Sequence, residues 1–157
     1  MARAQNTDAH FQISPLSSTS KAHSLLIVGV ENYSPTMQKM SNQRTGAFGE
    51  ELACQYLTAH HAEIVERNWR IREGEIDIVA LDRNGIFIFV EVKTRSSVAF
   101  GHPFEAINRD KARRMQRLAL GWLATHGCLG CDYHIYAVSV LIAPDGSHTI
   151  EYRAHIL

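Results

Sequence analysis

Two runs of β-branched and aromatic residues, one on each side of a glycine-containing turn, dominate the hydrophobic pattern of this chain. The first run covers residues 74–81 and the second covers residues 86–95. Such runs predict the two strands of a β-hairpin. Three charged side chains interrupt them: Asp77, Glu91 and Lys93. Because buried charges need partners or a metal ion, this conflict marks the hairpin as the expected functional region.

The register of the hairpin decides whether its two carboxylates meet. If residues 83–85 form a three-residue loop with Gly85 in the left-handed conformation, Asp82 pairs with Ile86 and Asp77 lies opposite Glu91. Opposed residues have Cα atoms roughly 4.5–5.5 Å apart, so both carboxylates could hold one ion. A two-residue turn would instead put Asp77 opposite Val92. We predict the three-residue loop.

Helical and strand periodicities predict the remaining elements. Apolar residues recur at helical spacing from about Thr45 to His60, through Phe48, Leu52, Tyr56 and Ala59, and again from Phe104 to Thr125, through Ile107, Met115, Leu118, Ala119 and Trp122. Further strands are predicted over residues 64–70, 133–142 and 149–153. The order α-β-β-β-α-β-β predicts an α/β domain with a mixed sheet of about five strands flanked by helices.

The N-terminal segment differs from the rest of the chain. Residues 1–40 predict a disordered extension to a domain over residues 41–157, because residues 1–24 are polar and aperiodic. The apolar run over residues 25–30 is too short to span a membrane, although it could dock as a strand. Such a strand could serve a structural, partner-binding protein. The three cysteines and the absence of secretory signals suggest a cytoplasmic protein.

Charge is balanced overall, with 16 basic and 16 acidic residues, so any nucleic-acid surface must be local. The second predicted helix concentrates positive charge against a single acid, Asp110. A solvated helix face explains this pattern, and so does a track for phosphates. In the second interpretation the nucleic-acid-binding residues are Arg95, Arg109, Lys111, Arg113, Arg114 and Arg117.

Oxygen ligands on one strand face suit a hard cation. Mg²⁺, or Mn²⁺ in its place, is commonly held by one or two carboxylates and several waters. Asp77 and Glu91 are therefore the predicted metal ligands, helped by the Val92 carbonyl, and Lys93 could orient a water. The simpler alternative is a solvated Glu91–Lys93 pair on an edge strand.

One acid of the first helix belongs with this group. At about 100° per residue, Glu50 falls within the apolar arc of that helix, whereas Glu51 falls outside it. Glu50 should therefore face the sheet and could assist at the metal site.

A C-x-x-C motif, Cys128 to Cys131, lies between His126 and His134. Zinc uses such ligands, yet this one short turn would have to supply all four. We therefore predict no zinc site here. Gly127 is the predicted C-cap of the second helix.

Asp77 followed by Glu91-Val92-Lys93 resembles the PD-(D/E)XK nuclease signature in the form found in archaeal Holliday-junction resolvases, with Ile76 where the signature has Pro. More closely, residues 46–50, 67–70, 74–77 and 89–95 resemble motifs of the bacterial YraN family. The resemblance covers the chain from about Asn42 onward. It implies a restriction-endonuclease-like core, and it implies a role for Glu50 beside the metal ligands.

Together these observations predict a metal-dependent endonuclease-like site with Glu50, Asp77, Glu91 and Lys93 as its catalytic residues. The expected partner is nucleic acid, DNA before RNA, with branched or nicked DNA as the candidate substrates; no membrane is expected, and a homodimer is left open. The alternative is a non-catalytic nucleic-acid-binding scaffold of the same fold.

Overall fold

The computed structural model describes residues 24–29, 42–96 and 109–153, which form six strands and two helices. The elements in chain order are β1 (Ser24–Gly29), α1 (Asn42–Ala59), β2 (Glu63–Ile71), β3 (Gly74–Leu81), β4 (Phe87–Arg95), α2 (Arg109–Thr125), β5 (Tyr133–Ile142) and β6 (His148–Arg153). Neither described helix is long and apolar enough to cross a membrane.

All six strands belong to one mixed sheet in the order β1-β6-β5-β4-β3-β2. Strands β4 and β5 are parallel, and every other neighbouring pair is antiparallel. A parallel pair needs a crossover connection, and α2 lies within the one between β4 and β5. The predicted α/β, restriction-endonuclease-like core is confirmed, and its five expected strands are joined by β1.

Strand β1 is the apolar run of the N-terminal segment. It pairs antiparallel with β6 over its whole length, from Ser24 opposite Arg153 to Gly29 opposite His148. It therefore docks as a strand, which the sequence had left open. The rest of the predicted disordered extension, residues 1–23 and 30–40, lies outside the described residues.

The two helices cover opposite faces of the sheet, so both faces of β4 are buried. Val90 and Val92 pack in the core cluster that contains Leu52 and Leu57 of α1. Phe89 packs in the other cluster, with Leu118 of α2. Successive side chains of β4 therefore pack alternately against the α1 side and the α2 side, which is why nearly the whole strand is apolar.

The predicted apolar stripes agree with this packing in most positions. Met115, Leu118, Ala119 and Trp122 are buried. Ile107 and the predicted helix start at Phe104 lie outside the described residues. Ala59 is exposed, so its predicted burial was wrong. Helix α1 ends at that residue, and its buried stripe runs through Leu52, Ala53 and Leu57 instead.

Helix α1 approaches β4 most closely at Gly49. A Cβ atom on Gly49 would lie 2.8 Å from Cβ of Thr94, a distance that real side chains essentially never show. Thr94 follows Lys93 directly in the chain. The missing side chain at Gly49 therefore sets how near α1 comes to the end of β4 that carries the charged residues.

We predict that Gly49→Ala destabilises the protein by about 1–3 kcal/mol, because a well-packed interface must open to admit the methyl group. Urea denaturation followed by circular dichroism measures the change.

Gly46→Ala is the matched control on the same helix, since nothing lies within 4 Å of the position of its Cβ. This substitution should stabilise the protein by about 0.5–1 kcal/mol through helix propensity alone. Equal effects of the two substitutions would contradict the proposed close approach at Gly49.

Candidate metal centre and active site

The loop of the β3–β4 hairpin sets the register of everything beyond it. The Asp82 N–H donates to the Ile86 carbonyl at 3.0 Å, and Gly85 has a φ of 77° in the left-handed region. One carboxylate oxygen of Asp82 accepts the N–H groups of Asn84 and Ile86 at 2.8 and 2.9 Å. The three-residue loop over residues 83–85 is therefore confirmed.

This loop aligns the two acidic positions. Ile78 pairs with Val90, and one further step along the same register places Asp77 opposite Glu91. The pairs from Ile78–Val90 to Leu81–Phe87 follow the predicted register, and the charge of Glu91 acts on Asp77. This register depends on the left-handed Gly85, because a loop one residue shorter would shift every pair.

The sheet forks at this pair. Backbone pairing between β3 and β4 stops at Ile78 and Val90, although β3 continues alongside β2 to Gly74 and β4 continues alongside β5 to Arg95. Oδ2 of Asp77 accepts the Val92 N–H at 2.7 Å. A carboxylate thus takes the place of a backbone carbonyl, so the strands separate without leaving this buried N–H unpaired.

Both acids are buried, and their surroundings hold them in different states. Asp77 and Glu91 are each only 8% exposed. Oε1 of Glu91 accepts bonds from Nζ of Lys93 at 2.6 Å and Nζ of Lys111 at 2.8 Å. Although burial raises the pKa of Glu91, the two ammonium groups outweigh it and hold that pKa below its usual value. Glu91 therefore carries the negative charge of the pair.

Asp77 lies in the opposite situation. Burial, followed by the charge of Glu91, raises the pKa of Asp77 to about 7, against the opposing effects of the Val92 N–H and Lys93. Two adjacent buried carboxylates thus divide one proton and one charge between them, as like charges at close range require. Near neutral pH, Asp77 is poised between its acid and its carboxylate.

The two lysines differ as well. Burial lowers the pKa of Lys93, but the ion pair with Glu91 outweighs it and the pKa lies above its usual value. Burial and the neighbouring Lys93 lower the pKa of Lys111 despite its bond to Glu91. Lys93 is therefore a permanent cation at neutral pH, suited to stabilising negative charge and unsuited to removing a proton.

Lys111 is the residue of this centre that the sequence analysis missed. It had been grouped with the basic residues of α2 as a contact for nucleic acid, whereas the structure brings it onto Glu91. A signal was present in the sequence: Lys111 lies four residues before Met115 and seven before Leu118, in line with the buried stripe. A lysine at the head of an apolar stripe needs an acidic partner.

Glu50 and Glu51 take the orientations that the helical angles predict. Glu51 bonds to Nη1 of Arg67 at 2.8 Å, with both side chains well exposed. Glu50 is half-buried, and its charge adds to the rise in the pKa of Asp77, whereas Glu51 has no part in that shift. Because α1 and α2 cover opposite faces of the sheet, Glu50 and Lys111 belong to opposite sides of the fork.

The neighbouring strand is also distorted at this level. Arg67 pairs with Ile78 and Trp69 with Ile76, so Asn68 lies at the register position opposite Asp77. Its φ of 54° is left-handed, a conformation that Asn tolerates better than most residues. Such distortions cluster at functional sites. No strand periodicity could reveal it, although Asn68 lies in one of the motifs that resemble the YraN family.

The remaining basic residues surround the centre. Arg109, Arg113 and Arg117 are exposed along α2, and Arg95 at the end of β4 is half-buried. The guanidinium of Arg114 lies against Gly74: a Cβ atom on Gly74 would be only 2.6 Å from Nη2 of Arg114. Arg114 is exposed as well, but its guanidinium lies against the start of β3.

The donor set at the fork fits a hard cation of modest coordination demand. Within residues 24–29, 42–96 and 109–153, no three His, Cys, Asp or Glu side chains are arranged to hold a metal ion. The Asp77 and Glu91 carboxylates alone would leave most positions to water, which is the usual arrangement for Mg²⁺. A closed structural zinc site takes four ligands, and the two carboxylates do not supply them.

The fold and this centre define the class of the protein: an α/β protein with a restriction-endonuclease-like core and two acids and a lysine where the sheet forks. The profile of the "Uncharacterised protein family UPF0102" matches residues 49–140 of the 157. The chain belongs to this family, which is also known as YraN.

Relatives in several bacteria match most of the domain. A UPF0102 protein of Beutenbergia cavernae is 49% identical over 107 residues, which are 68% of this chain and 90% of the relative. One from Leifsonia xyli is 48% identical over 98 residues, covering 62% and 82%. One from Trichlorobacter lovleyi is 40% identical over 111 residues, covering 71% and 87%. The family resemblance inferred from the motifs is thus confirmed.

The raised pKa of Asp77 predicts a specific dependence of stability on pH. Its pKa is about 7 in the folded protein and near 3.8 when unfolded. Between these values the folded state binds more protons, so the free energy of unfolding should fall as pH rises, by up to about 1.4 kcal/mol per pH unit, and level off above pH 7. Asp77→Asn should remove this component of the slope.

Urea denaturation of both proteins between pH 4.5 and 8, without divalent cations, tests this expectation. The difference between wild type and Asp77→Asn cancels the contributions of the groups that the two proteins share. Parallel stability curves across the range would show that Asp77 ionises normally.

Proposed function

We propose that this protein is a Mg²⁺-dependent phosphodiesterase that cleaves nucleic acid, with DNA as the expected substrate. The observation that carries the proposal is the buried, facing pair of Asp77 and Glu91 at the fork, with Lys93 bonded to Glu91 at 2.6 Å. A purely structural ion pair would not require the second acid, whose pKa lies near 7. Perturbed acids of this kind are typical of functional sites.

The roles follow from the charges. Asp77 and Glu91 would hold the cation, with help from the Val92 carbonyl. When bound, Mg²⁺ lowers the pKa of a bound water and polarises a phosphoryl oxygen. Lys93, a permanent cation, would orient the attacking water and offset the negative charge that develops on the phosphate. Glu50, which acts on Asp77 from α1, would assist from the other face of the sheet.

Lys111 adds a role that was not expected from the sequence. It neutralises Glu91 together with Lys93, so Glu91 has two ammonium partners before any divalent cation binds. A cation that uses Glu91 must compete with them. Lys111 has the lowered pKa and belongs to another element, so it is the partner we expect to yield and to turn towards a phosphate.

The basic residues of α2 support a polyanionic substrate. Arg109, Arg113 and Arg117 recur every four residues over roughly 12 Å of helix, and all three are exposed. The same helix supplies Lys111 to the centre. A phosphate backbone that follows these arginines would therefore lead to the fork. This continuity favours a nucleic acid over a small phosphate ester, and branched or nicked DNA remains the proposed form.

The alternative is a nucleic-acid-binding scaffold that does not cleave. The observation in its favour is the bonding of Glu91 to two lysines, which satisfies the buried charge without any metal. In that case the fork keeps its fold and its metal-site residues without cleaving nucleic acid, and α2 remains the binding surface.

Cleavage under single-turnover conditions separates the two functions. With protein in excess over junction, nicked and single-stranded DNA and with Mn²⁺ or Mg²⁺ present, the wild type should cleave at least one substrate. Lys93→Ala should abolish cleavage while nearly preserving DNA binding, because Lys93 acts on the water and the transition state. Asp77→Ala should lose both metal binding and cleavage.

The same DNA panel provides the contrary outcomes. Absence of wild-type cleavage on every substrate would favour the scaffold. Cleavage that survives in Lys93→Ala would show that the centre is catalytic through another arrangement. Binding of DNA by Asp77→Ala, measured in parallel by fluorescence anisotropy, shows whether that variant remains folded and competent.

Lys111 and Arg113 should separate the two surfaces of α2. Removal of a cation that competes for Glu91 should tighten Mn²⁺ binding in Lys111→Ala, by about threefold to tenfold, while cleavage falls. Arg113→Ala should leave Mn²⁺ binding unchanged, but it should weaken DNA binding for all sequences and reduce the salt slope by about one unit.

Isothermal titration calorimetry with Mn²⁺ and anisotropy across a salt series measure both effects. If Lys111→Ala weakens Mn²⁺ binding, Lys111 supports the site and does not compete for it. If Arg113→Ala changes neither DNA affinity nor salt slope, this part of α2 is a solvated face.

A further inference from the structure

The turn between α2 and β5 carries two thiols that the proposed function does not use. Cys128 and Cys131 are both free; Cys131 is exposed and Cys128 is half-buried. The third cysteine, Cys54, is buried in the other core cluster under α1, and burial raises its pKa. Two accessible thiols are thus set apart from one enclosed thiol within the same chain.

The end of α2 fixes the backbone at Cys128. Gly127 is left-handed, with a φ of 69°, and the Cys128 N–H donates to the Leu123 carbonyl at 2.8 Å. A bond of this span closed by a left-handed glycine is the Schellman motif, so the predicted C-cap at Gly127 is confirmed. Cys128 also packs against the cluster that holds Trp122, the hydrophobic contact that usually accompanies this motif.

The next turn fixes Cys131 relative to Cys128. The Cys131 N–H donates to the Cys128 carbonyl at 3.0 Å, and Gly130 has a φ of 93°. A bond of this span, with a left-handed glycine at the third position, defines a type II turn, in which the first and fourth Cα atoms lie within about 7 Å. Disulfides bridge Cα atoms that are roughly 4.4–6.8 Å apart. The two cysteines are thus held near disulfide distance before any bond forms.

The neighbouring histidines do not complete a metal site. Nδ1 of His126 is 2.8 Å from the Trp122 carbonyl, and its Nε2 is 3.4 Å from Oε2 of Glu66. Its ring also stacks on Trp122, with centroids 4.0 Å apart. His134 stacks on Tyr136. Among the described residues, no three His, Cys, Asp or Glu side chains are arranged to hold a metal ion. We therefore consider the chemistry that two thiols can carry out by themselves.

From this geometry we propose that Cys128 and Cys131 form a reversible disulfide by exchange with low-molecular-weight disulfides. The exposed Cys131 reacts first, because Cys128 is partly buried and its sulfur donates to the His126 carbonyl at 3.4 Å. Burial and the adjacent Cys131 raise the pKa of Cys128, which also favours this order.

The exchange proceeds in two balanced steps. The Cys131 thiolate attacks one sulfur of the small disulfide; that S–S bond breaks, a mixed disulfide forms, and one small thiolate leaves. The Cys128 thiolate then attacks the Cys131 sulfur of the mixed disulfide and expels the second small thiolate. The two leaving thiolates take up the two protons lost by the cysteines. The protein pair is oxidised by two electrons, and the small disulfide is reduced to two thiols.

Equilibration of the full chain in buffers of reduced and oxidised glutathione tests the proposal. After acid quenching, unfolding and alkylation, mass spectrometry should find the two thiols of the Cys128–Cys131 peptide lost together, with a mass lower by two hydrogens. Cys54 should remain alkylated. Dithiothreitol should restore both thiols, and the midpoint should not depend on protein concentration.

Two serine variants identify the order of the steps. Cys128→Ser should stop at a stable glutathione adduct on Cys131, whereas Cys131→Ser should form little adduct on Cys128. In the wild type, a lasting adduct on Cys131 without ring closure would overturn the proposal, and so would bonds between chains. Oxidation of Cys54 in step with the pair would overturn its selectivity. These wild-type results do not depend on the variants being folded.

Discussion

The burial of the Glu91 carboxylate is the constraint on which the rest of this domain depends. A carboxylate that is 8% exposed cannot remain charged without partners, and its partners come from two different elements. Lys93 lies two residues further along the same strand face, while Lys111 reaches across from α2. The ion pair therefore ties α2 to β4 at the place where the apolar contact between them ends. Next to this ion pair, the interface between α2 and β4 continues as an apolar cluster that contains Phe89, Leu118 and Trp122.

The fork between β3 and β4 is the second consequence of placing acids inside a sheet. Asp77 accepts the Val92 N–H with its own carboxylate, so the strands can separate while that buried N–H stays bonded. On the α1 side, Gly49 lets the helix approach Thr94. Among the described residues, the Thr94 hydroxyl is the one buried side-chain polar group without a hydrogen-bond partner. The Gly49–Thr94 contact on the α1 side and the Lys111–Glu91 ion pair on the α2 side therefore both lie next to the fork between β3 and β4.

Helix α2 links the two chemistries proposed for the protein. Its first turns carry Lys111 to the carboxylates, and its end is capped by Gly127 beside the cysteine pair. Lys111 lies 14 residues before Thr125, the last residue of α2, which is roughly 21 Å along the helix axis. The fork and the thiol turn are therefore two separate candidate sites at opposite ends of one helix, and the exposed Arg113 and Arg117 lie between them along α2. The proposed phosphodiesterase and scaffold functions differ in whether the fork cleaves the bound nucleic acid.

Local physics made much of this structure predictable from the sequence. The left-handed Gly85, the alternation along β3 and β4 and the helical angles of Glu50 and Glu51 each depend on neighbouring residues, so the register of Asp77 with Glu91 could be derived before any coordinates. The contact of Lys111 with Glu91, the fork and the pairing of β1 with β6 could not. They join residues far apart in the chain, and only the tertiary packing decides which distant partners meet and how deeply each charge is buried.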